Sequence, residues 1–370
     1  VAEGAHLEVG EEALHGLAQH HLSAARFDDA ARVATVLLDH AREAGQPHPE
    51  VLAHRALSQV RFWTGRYTEL WEHSARAMEL YDPEAPVEQR FAMGIESGVI
   101  AMTYGAVGLW ALGRPHEAAA MADRCVEHAK RQPDVYQQAY AQAYLSMLGI
   151  MLIDPERVER WALAAKSIAE RHGFAPLEGL SRYTLAWAMA ERGHPESFDM
   201  VVSGIGILAA LGTGIGALGC MAVVAEMYAK DGQFGEAAGY VAFGEAMADG
   251  TGQHFYTVEL HRSAALAHLG LADAADDDEV RATELHAAEQ RASAAIDLAR
   301  AQSAASLELR AIQPMIELLC RRGDTEAARS LLADAVAKFP AESSGTELDR
   351  ARAALRGAAE LRPRLRFHEV

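Results

Sequence analysis

Apolar residues recur along this chain at spacings of three and four positions, which is the period of an amphipathic helix. One such stripe consists of Phe27, Ala30, Ala34, Leu37, Leu38 and Ala41. Alternation with period two is missing. The stretch nearest to it, residues 200–208, contains Gly204 and Gly206 and is better interpreted as a closely packed helix. The pattern predicts an all-α chain with no sheet.

A short motif marks the expected corners between helices: a glycine ends one apolar helix, and a carboxylate follows two to four residues later. Close copies occur at residues 62–70, 110–118 and 229–237, with looser ones at 25–30, 193–196 and 323–327. Glycine closes a helix in the left-handed conformation, and the carboxylate complements the dipole of the next helix. The motif predicts helix-to-helix turns at Gly65, Gly113, Gly193, Gly232, Gly270 and Gly323.

Stacked hairpins of this kind form a solenoid with a continuous core. We expect about eight helix pairs over residues 1–343, with a period on the order of 40 residues. An acidic run at residues 271–281 is expected to be a solvated loop insertion, because it lacks the ligand spacing and central glycine of a calcium loop. Residues 344–370 should form a capping helix and a mobile basic tail with Arg362, Arg364 and Arg366.

Several segments occur in a distinctive order: Leu-Tyr-Asp-Pro at 80–83, Gly-Ile-Glu-Ser-Gly-Val at 94–99, Gly-Leu-Trp-Ala-Leu-Gly at 108–113, Trp-Ala-Met-Ala-Glu-Arg-Gly at 187–193, Ala-Glu-Met-Tyr at 225–228, Glu-Leu-His-Arg at 259–262 and Ser-Leu-Glu-Leu-Arg-Ala at 306–311. They resemble the C-terminal tetratricopeptide-like region of bacterial multidomain signalling ATPases, especially those with a class III adenylate cyclase domain. The resemblance implies a tetratricopeptide-like αα-hairpin solenoid, a right-handed superhelix. It also implies that a cyclase or other output module and an ATPase belong to the same protein. Similar regions occur in large LuxR-type transcription activators, although no helix-turn-helix is evident after Phe339.

Sequence signs of catalysis or of a bound cofactor are missing. No Gly-x-x-x-x-Gly-Lys-Ser/Thr segment occurs, and none of Lys130, Lys166, Lys230 and Lys338 follows a glycine. Residues 214–219 match the letters of a dinucleotide fingerprint, but a helix is predicted before them where that motif needs a strand. We therefore expect no enzyme activity, no catalytic residue and no cofactor in this chain.

Metal, nucleic-acid and membrane binding are also not expected. His254, His261 and His268 are seven residues apart, which on one helix is about 10.5 Å between neighbours, too far to share an ion. The three cysteines, Cys125, Cys220 and Cys320, have no metal-ligand or disulfide pattern. A net charge of −18 opposes nucleic acid. No apolar stretch suits a bilayer, so we expect a cytoplasmic protein.

A binding surface remains as the expected functional feature, because superhelical arrays present the first helix of each hairpin on a concave face. The candidates are polar aromatic, histidine and arginine side chains on predicted first helices: Arg61, Trp63, Tyr104, Tyr140, Tyr144, Arg182, Tyr183, Trp187, Tyr228, Tyr256, His261, Arg262 and Arg310. The alternative is that the aromatic residues fill the core between repeats. Glu259 and Glu308 are the expected partners of buried arginines, and the three-residue spacing favours a structural Arg262–Glu259 pair.

The leading hypothesis is a regulatory sensor or scaffold that binds a protein partner or a small-molecule effector and acts on an attached ATPase or cyclase. A freestanding adaptor that binds peptides or helices of partner proteins is the alternative. The ligand-sensing part of a LuxR-type activator is a third reading. The sequence leaves homo-oligomer formation open.

Overall fold

A computed structural model describes residues 10–92, 94–211, 217–357 and 360–361. Helices dominate it, with one short β-hairpin. The elements in chain order are α1 (Glu11–Ser23), α2 (Phe27–Glu43), α3 (Pro47–Trp63), α4 (Tyr67–Leu80), α5 (Val87–Arg90), β1 (Phe91–Ala92), β2 (Ile95–Glu96), α6 (Ser97–Ala111), α7 (Pro115–Lys130), α8 (Val135–Met151), α9 (Pro155–His172), α10 (Ala175–Glu191), α11 (Ser197–Ala210), α12 (Ala217–Lys230), α13 (Phe234–Thr251), α14 (Thr257–Ala274), α15 (Asp278–Ala301), α16 (Ala305–Ala311), α17 (Gln313–Arg321), α18 (Thr325–Val336) and α19 (Thr346–Leu355).

Successive helices pack as pairs, and the pairs stack on one another. Each first helix contacts its own partner and the first helix of the next pair, in the series α1, α3, α6, α8, α10, α12, α14 and α16. In the described part of the chain this gives eight pairs, the last with its first helix divided into α16 and α17, followed by α19 as a cap. The predicted all-α hairpin solenoid is confirmed.

The two helices of a pair differ in how much of their surface is buried. On α3, 13 of 17 residues are buried, so this helix is enclosed on nearly all sides. Its partner α4 buries only Tyr67, Leu70, Ser74 and Ala77. The second helix of the first pair, α2, likewise buries a single stripe made of the six predicted residues from Phe27 to Ala41. First helices therefore form an inner layer between neighbouring pairs, while second helices form an outer layer with one wet face.

Most of the predicted corners are confirmed by backbone geometry. Gly65, Gly113, Gly193, Gly232 and Gly323 follow helix ends and have positive φ angles between 70° and 84°. Gly270 is different, because it lies inside α14. A side chain there would collide with the ring of Phe234, at 2.0 Å from its Cε1 atom. The prediction of a turn at Gly270 is wrong: this glycine gives Phe234 room to pack against the helix.

The acidic run at residues 271–281 is not a loop insertion. Residues up to Ala274 continue α14, and α15 already begins at Asp278. The Asp277 carboxylate accepts hydrogen bonds from the backbone N–H groups of Glu279 and Val280, so it caps the N-terminus of α15. Acidic side chains are stabilising in this position because they complement the helix dipole.

A small β-hairpin of two residues per strand separates the second and third pairs and is a local addition to the all-α array. Its strands, β1 and β2, pair Phe91 with Glu96 and Ala92 with Ile95. The hairpin leads directly into α6, where the Glu96 side chain accepts a hydrogen bond from the backbone N–H of Val99. Residues 200–208, in contrast, are helical as predicted. The backbone of Gly204 approaches α10 so closely that a Cβ atom would lie 2.8 Å from the Gly179 oxygen.

The C-terminal capping helix is α19, which begins at Thr346 and ends at Leu355. The basic residues Arg362, Arg364 and Arg366 lie outside the described residues. The first helix of the last pair breaks at Ile312, between α16 and α17, where Pro314 removes a backbone donor and crowds the preceding turn.

The superhelix also closes on itself, because its last pairs contact its first ones. The backbone N–H of His254 donates to the Trp63 oxygen at 2.8 Å, and the Tyr67 hydroxyl donates to the Phe255 oxygen. Further along, the Ser306 hydroxyl donates to the Trp110 oxygen at 2.5 Å. These contacts join segments nearly 200 residues apart and enclose part of the inner face.

Candidate functional site

A chamber of about 300 Å³ opens on the inner face of the superhelix, along its first six helix pairs. Side chains of α1, α3, α6, α8, α10, α11 and α12, with Ile95 of β2, form its wall. Ser23 and Pro176 belong to the wall and are exposed, so they mark its rim. The aromatic part of the wall consists of Phe62, Trp63, Tyr104, Tyr136, Tyr140 and Tyr144.

The tyrosines of α8 give the chamber a continuous aromatic side. Tyr136, Tyr140 and Tyr144 follow one another at four-residue spacing, so they share one helix face. The rings of Tyr140 and Tyr144 stack, with centroids 4.3 Å apart and an interplanar angle of 29°. A stacked, rigid aromatic wall of this kind suits the flat apolar face of a ligand.

Polar groups cross the chamber from α1 to α8. The Gln19 amide donates to the Gln59 side-chain oxygen at 2.9 Å. The Tyr104 hydroxyl lies within hydrogen-bonding reach of the Gln59 and Tyr140 side chains. Burial raises the pKa of Tyr104 and Tyr140, so both hydroxyls remain protonated at neutral pH and can donate to a bound acceptor.

The structure brings four of the predicted binding residues together at this chamber. They are Trp63, Tyr104, Tyr140 and Tyr144. Tyr183, Trp187 and Tyr256 are buried in the core between repeats. Tyr228 stacks on Tyr240 at 5.4 Å on another part of the array. The aromatic candidates thus divide between a cavity and ordinary packing.

The half-buried cationic candidates are bound to nearby carboxylates. Arg61 pairs with Glu69 at 2.8 Å, and Arg182 pairs with Glu178 at 2.8 Å and with Glu170 at 2.9 Å. His261 lies 3.4 Å from Glu245. These partners satisfy the charged groups locally, which is the ordinary arrangement at the surface of a helical array.

Arg262 and Arg310 belong to a buried network of charges. Arg262 lies 2.6 Å from both Glu226 and Glu259, so the predicted Arg262–Glu259 pair is confirmed. Arg310 approaches Glu259 at 3.3 Å and Glu226 at 3.4 Å. Glu308, the other expected partner of the buried arginines, forms its ion pairs with different cations. It binds Arg300 at 2.8 Å and also Lys338.

Sequence reasoning found four of the residues that line the chamber and missed the others, among them Phe62, Gln59 and Tyr136. It also missed Arg55, a fully buried cation on α3. The spacing of Tyr136, Tyr140 and Tyr144 was an available signal, because it places all three on one face. Arg55 had none, since its environment depends on residues 40 positions away.

The histidine series does not form a metal site. His254 precedes α14 and is not on the same helix as His261 and His268, which corrects the expectation of one helix. The Nδ1 atom of His268 lies 2.6 Å from Glu284, whereas His261 lies next to Glu245. No group of three potential ligands occurs among the residues described. Residues Gly214 to Gly216, which belong to the match with a dinucleotide fingerprint at 214–219, lie outside the described residues.

Acid is expected to destabilise the N-terminal repeats through His54 and His73. Their Nδ1 atoms are 2.9 Å apart. Burial is the main cause that lowers the pKa of each to about 4; at His54, Arg42 lowers the pKa further and Glu50 opposes the shift. A histidine whose folded pKa is below its unfolded value of 6.5 stabilises the fold above pH 6.5, and this stabilisation is lost as the pH falls toward 4.

We therefore expect the melting temperature to fall between pH 6.5 and pH 5, measured by circular dichroism. The double variant His54→Gln/His73→Gln should have a shallower pH dependence in this window. His40→Gln, at an exposed position of α2, is the control and should follow the unchanged chain. Equal slopes in all three proteins would show that the pair does not titrate as described.

Fold and chamber define a class: this is a tetratricopeptide-like helical repeat protein. Aspartyl phosphate phosphatase F from Bacillus subtilis aligns with a TM-score of 0.50 at 10% identity, over 98% of this chain and 99% of that one. A Rap protein in complex with competence and sporulation factor aligns with a TM-score of 0.42 at 13% identity, over 89% of this chain and 74% of that one. No protein-family model matches the chain, and no curated protein is similar to it in sequence. At 10% identity, the likeness to the phosphatase supports the repeat fold alone.

In the part of the chain that the structure describes, no helix has the length and apolar character needed to cross a membrane.

Proposed function

We propose that this chain is a non-catalytic binding domain, the regulatory or sensing part of a bacterial signalling ATPase or adenylate cyclase. The observation that carries the proposal is the aromatic chamber on the inner face, with a wall drawn from six successive helix pairs. A ligand or partner segment bound there touches several repeats at once. Binding would therefore change how the repeats pack and how the array contacts an attached domain.

The ordered sequence segments support the attachment to an ATPase or cyclase. Those at residues 80–83, 94–99 and 108–113 span the end of α4, the β-hairpin and the start and end of α6. Of these three segments, only 94–99 reaches the chamber, through Ile95, while Tyr104 of α6 lies between the other two segments and also lines it.

Absence of a phosphate-binding loop supports the non-catalytic part of the proposal. No glycine-rich loop with a following lysine exists in the sequence. The carboxylate of Glu226 has its pKa held far below the ordinary value by Arg262, Lys230 and Arg310, against the effect of burial. Such a group stays ionised and satisfied, so it is unsuited to general acid or base catalysis at neutral pH.

A chamber-filling variant tests the proposal. Met147 lines the chamber, and Met147→Trp should occupy part of its volume. We expect a screen of small molecules and short peptides to contain compounds that raise the melting temperature of the unchanged chain but not that of Met147→Trp. Leu163→Trp, at a position that is 48% exposed on α9, is the control and should respond like the unchanged chain.

The same preparation should neither hydrolyse ATP nor form cyclic AMP above a buffer blank. Turnover that disappears with a single substitution in this chain would contradict the non-catalytic assignment. Identical responses of the chamber variant and the unchanged chain would contradict the chamber as the binding site.

A further inference from the structure

The wall of the chamber contains no charged side chain. In the part of the chain that the structure describes, sixteen residues line the chamber, and none of them is Asp, Glu, Lys, Arg or His. The chain as a whole is 23% charged, with a net charge of −18. The polar side chains of the wall carry amide, hydroxyl, indole and thiol groups, which belong to Gln19, Ser23, Gln59, Trp63, Cys220 and four tyrosines.

Two inner helices of the chamber are uncharged over their whole length. The 15 residues of α6 and the 17 residues of α8 include no acidic or basic side chain. The sequence at 200–225, which contains the wall residues Leu208 and Cys220, has none either. Position in the inner layer does not explain this, because α12 and α14 carry Glu226 and Arg262, which are 5% and 2% exposed. Charges are accommodated elsewhere in the inner layer and are missing around the chamber.

The ionisable groups of the wall are held in their neutral forms. Burial is the main cause that raises the pKa of the Tyr104, Tyr140 and Tyr144 hydroxyls. It also raises the pKa of the Cys220 thiol to about 12. These groups stay protonated near neutral pH, so they add no charge to the wall. The same desolvation opposes a charged group on a ligand.

The buried charges Arg55 and Glu96 do not provide a partner for such a group. Neither residue lines the chamber. Burial lowers the pKa of Arg55 to about 10, whereas the opposite charge of Glu96 acts to raise it. The two charges offset each other outside the wall. A charged ligand would therefore lose its hydration in the chamber without gaining an ion pair.

A chain of neutral hydrogen-bond donors ends at the cavity. The Gln19 amide donates to the Gln59 side-chain oxygen at 2.9 Å, so the NH₂ group of Gln59 remains a donor. The Tyr104 hydroxyl lies within hydrogen-bonding reach of Gln59 and of Tyr140. Whichever of the two hydroxyls donates to the other, one O–H proton is left over. This proton can be donated to an acceptor on a ligand.

We propose that the chamber binds a small, uncharged aromatic compound that carries a carbonyl group. The carbonyl oxygen accepts the O–H proton left over by Tyr104 and Tyr140, and the flat ring lies on the stacked rings of Tyr140 and Tyr144. A cavity of about 150 Å³ is enough for benzene. The chamber, at about 300 Å³, has room for one or two rings with a short side chain. The inference rests on the proposed function, because it names the ligand class of the same chamber.

Three probes of one shape test the requirement for a neutral ligand by isothermal titration calorimetry. At neutral pH, indole-3-acetamide is uncharged, indole-3-acetate is an anion and tryptamine is a cation. We expect the amide to bind at least about tenfold more tightly than either ion, because the wall does not compensate the desolvation of a charge. The affinity for the amide should be the same in low salt and in high salt, since no ion pair forms.

Removing two hydroxyls tests the contact with the carbonyl group. The double variant Tyr104→Phe/Tyr140→Phe keeps both rings and should bind indole-3-acetamide about threefold to tenfold more weakly, which corresponds to one hydrogen bond. Its affinity for 3-ethylindole, which has no carbonyl, should be unchanged. Tyr228→Phe/Tyr240→Phe is the matched control, because these two rings also stack but do not line the chamber. It should bind the amide like the unchanged chain.

The remaining outcomes separate this inference from the proposed function. Equal binding of the amide and either ion, lost in Met147→Trp, would keep the chamber as a site but overturn the uncharged ligand class. Amide binding that persists in Met147→Trp would contradict the chamber itself. If neither indole-3-acetamide nor phenylacetamide binds, the ligand class is wrong. A capped Ala-Trp-Ala peptide that binds instead would replace the small molecule with a peptide.

Discussion

Replacing Arg262 with alanine is expected to destabilise the folded chain by about 3–5 kcal/mol, because it removes the nearest cation from the buried carboxylates of Glu226 and Glu259 and leaves only Arg310 and Lys230 to balance them. Arg262 is 2% exposed and lies 2.6 Å from Glu226 and Glu259. These residues belong to α12 and α14, so the network joins two neighbouring pairs. The loss should appear in urea unfolding monitored by circular dichroism.

Arg182→Ala is the matched control for this prediction. Arg182 is also on a first helix and has two carboxylate partners, but its side chain is 23% exposed. Solvent screens such a pair, so the expected loss is below about 1 kcal/mol. A comparable loss of unfolding free energy in both variants would show that burial of the network does not increase its contribution to stability. An unchanged unfolding midpoint for Arg262→Ala would contradict its structural role.

Phe255→Ala is expected to cost about 3–5 kcal/mol and to open the superhelix, since it empties a fully buried aromatic position. The Phe255 side chain is 0% exposed. Its ring centroid lies 4.7 Å from that of Phe62 and 5.0 Å from that of Trp63. Phe62 and Trp63 lie at the end of α3 in the second helix pair, and Phe255 lies just before α14 of the seventh pair. Their contact therefore stabilises the closed superhelix.

Small-angle X-ray scattering measures the opening independently of stability. We expect a larger radius of gyration for Phe255→Ala than for the unchanged chain under conditions where both are folded. Phe243→Ala is the control, because Phe243 is 58% exposed on α13. The closure would be contradicted if Phe255→Ala were as compact and as stable as the control.

Local signals explain why the repeat architecture could be predicted. A glycine at a helix end requires a left-handed conformation, and the apolar stripe of α2 requires one buried face, so both follow from a few neighbouring residues. Gly270 shows the limit of this reasoning. Its local sequence resembles that of a helix end, but its role is set by the ring of Phe234, which packs against the helix from the preceding pair.

The acidic run at residues 271–281 shows the same limit at the level of single side chains. A cluster of carboxylates is typical of a solvated loop, yet Asp277 in this cluster caps a helix and Asp273 binds Arg321 on α17 at 2.6 Å. The second contact spans 48 residues. No pattern in the local sequence around Asp273 indicates that Arg321 is its partner.

The candidate site could be predicted only in part for a related reason. Placing aromatic residues on first helices identified four chamber residues. It could not separate them from Tyr183 and Trp187, which have the same helix position but lie in the core. The difference depends on how far neighbouring pairs are apart, which is a property of the whole array.

A crystal structure of the chain with a compound that raises its melting temperature but not that of Met147→Trp tests the central claim most directly, because it shows both the closed superhelix and the occupant of its chamber. The account predicts stacked helix pairs with Phe255 against Phe62 and Trp63. It also predicts that the compound lies in the chamber against the tyrosines of α8. An open array with Phe255 in solvent, or a closed one in which the compound lies outside the chamber, would contradict it.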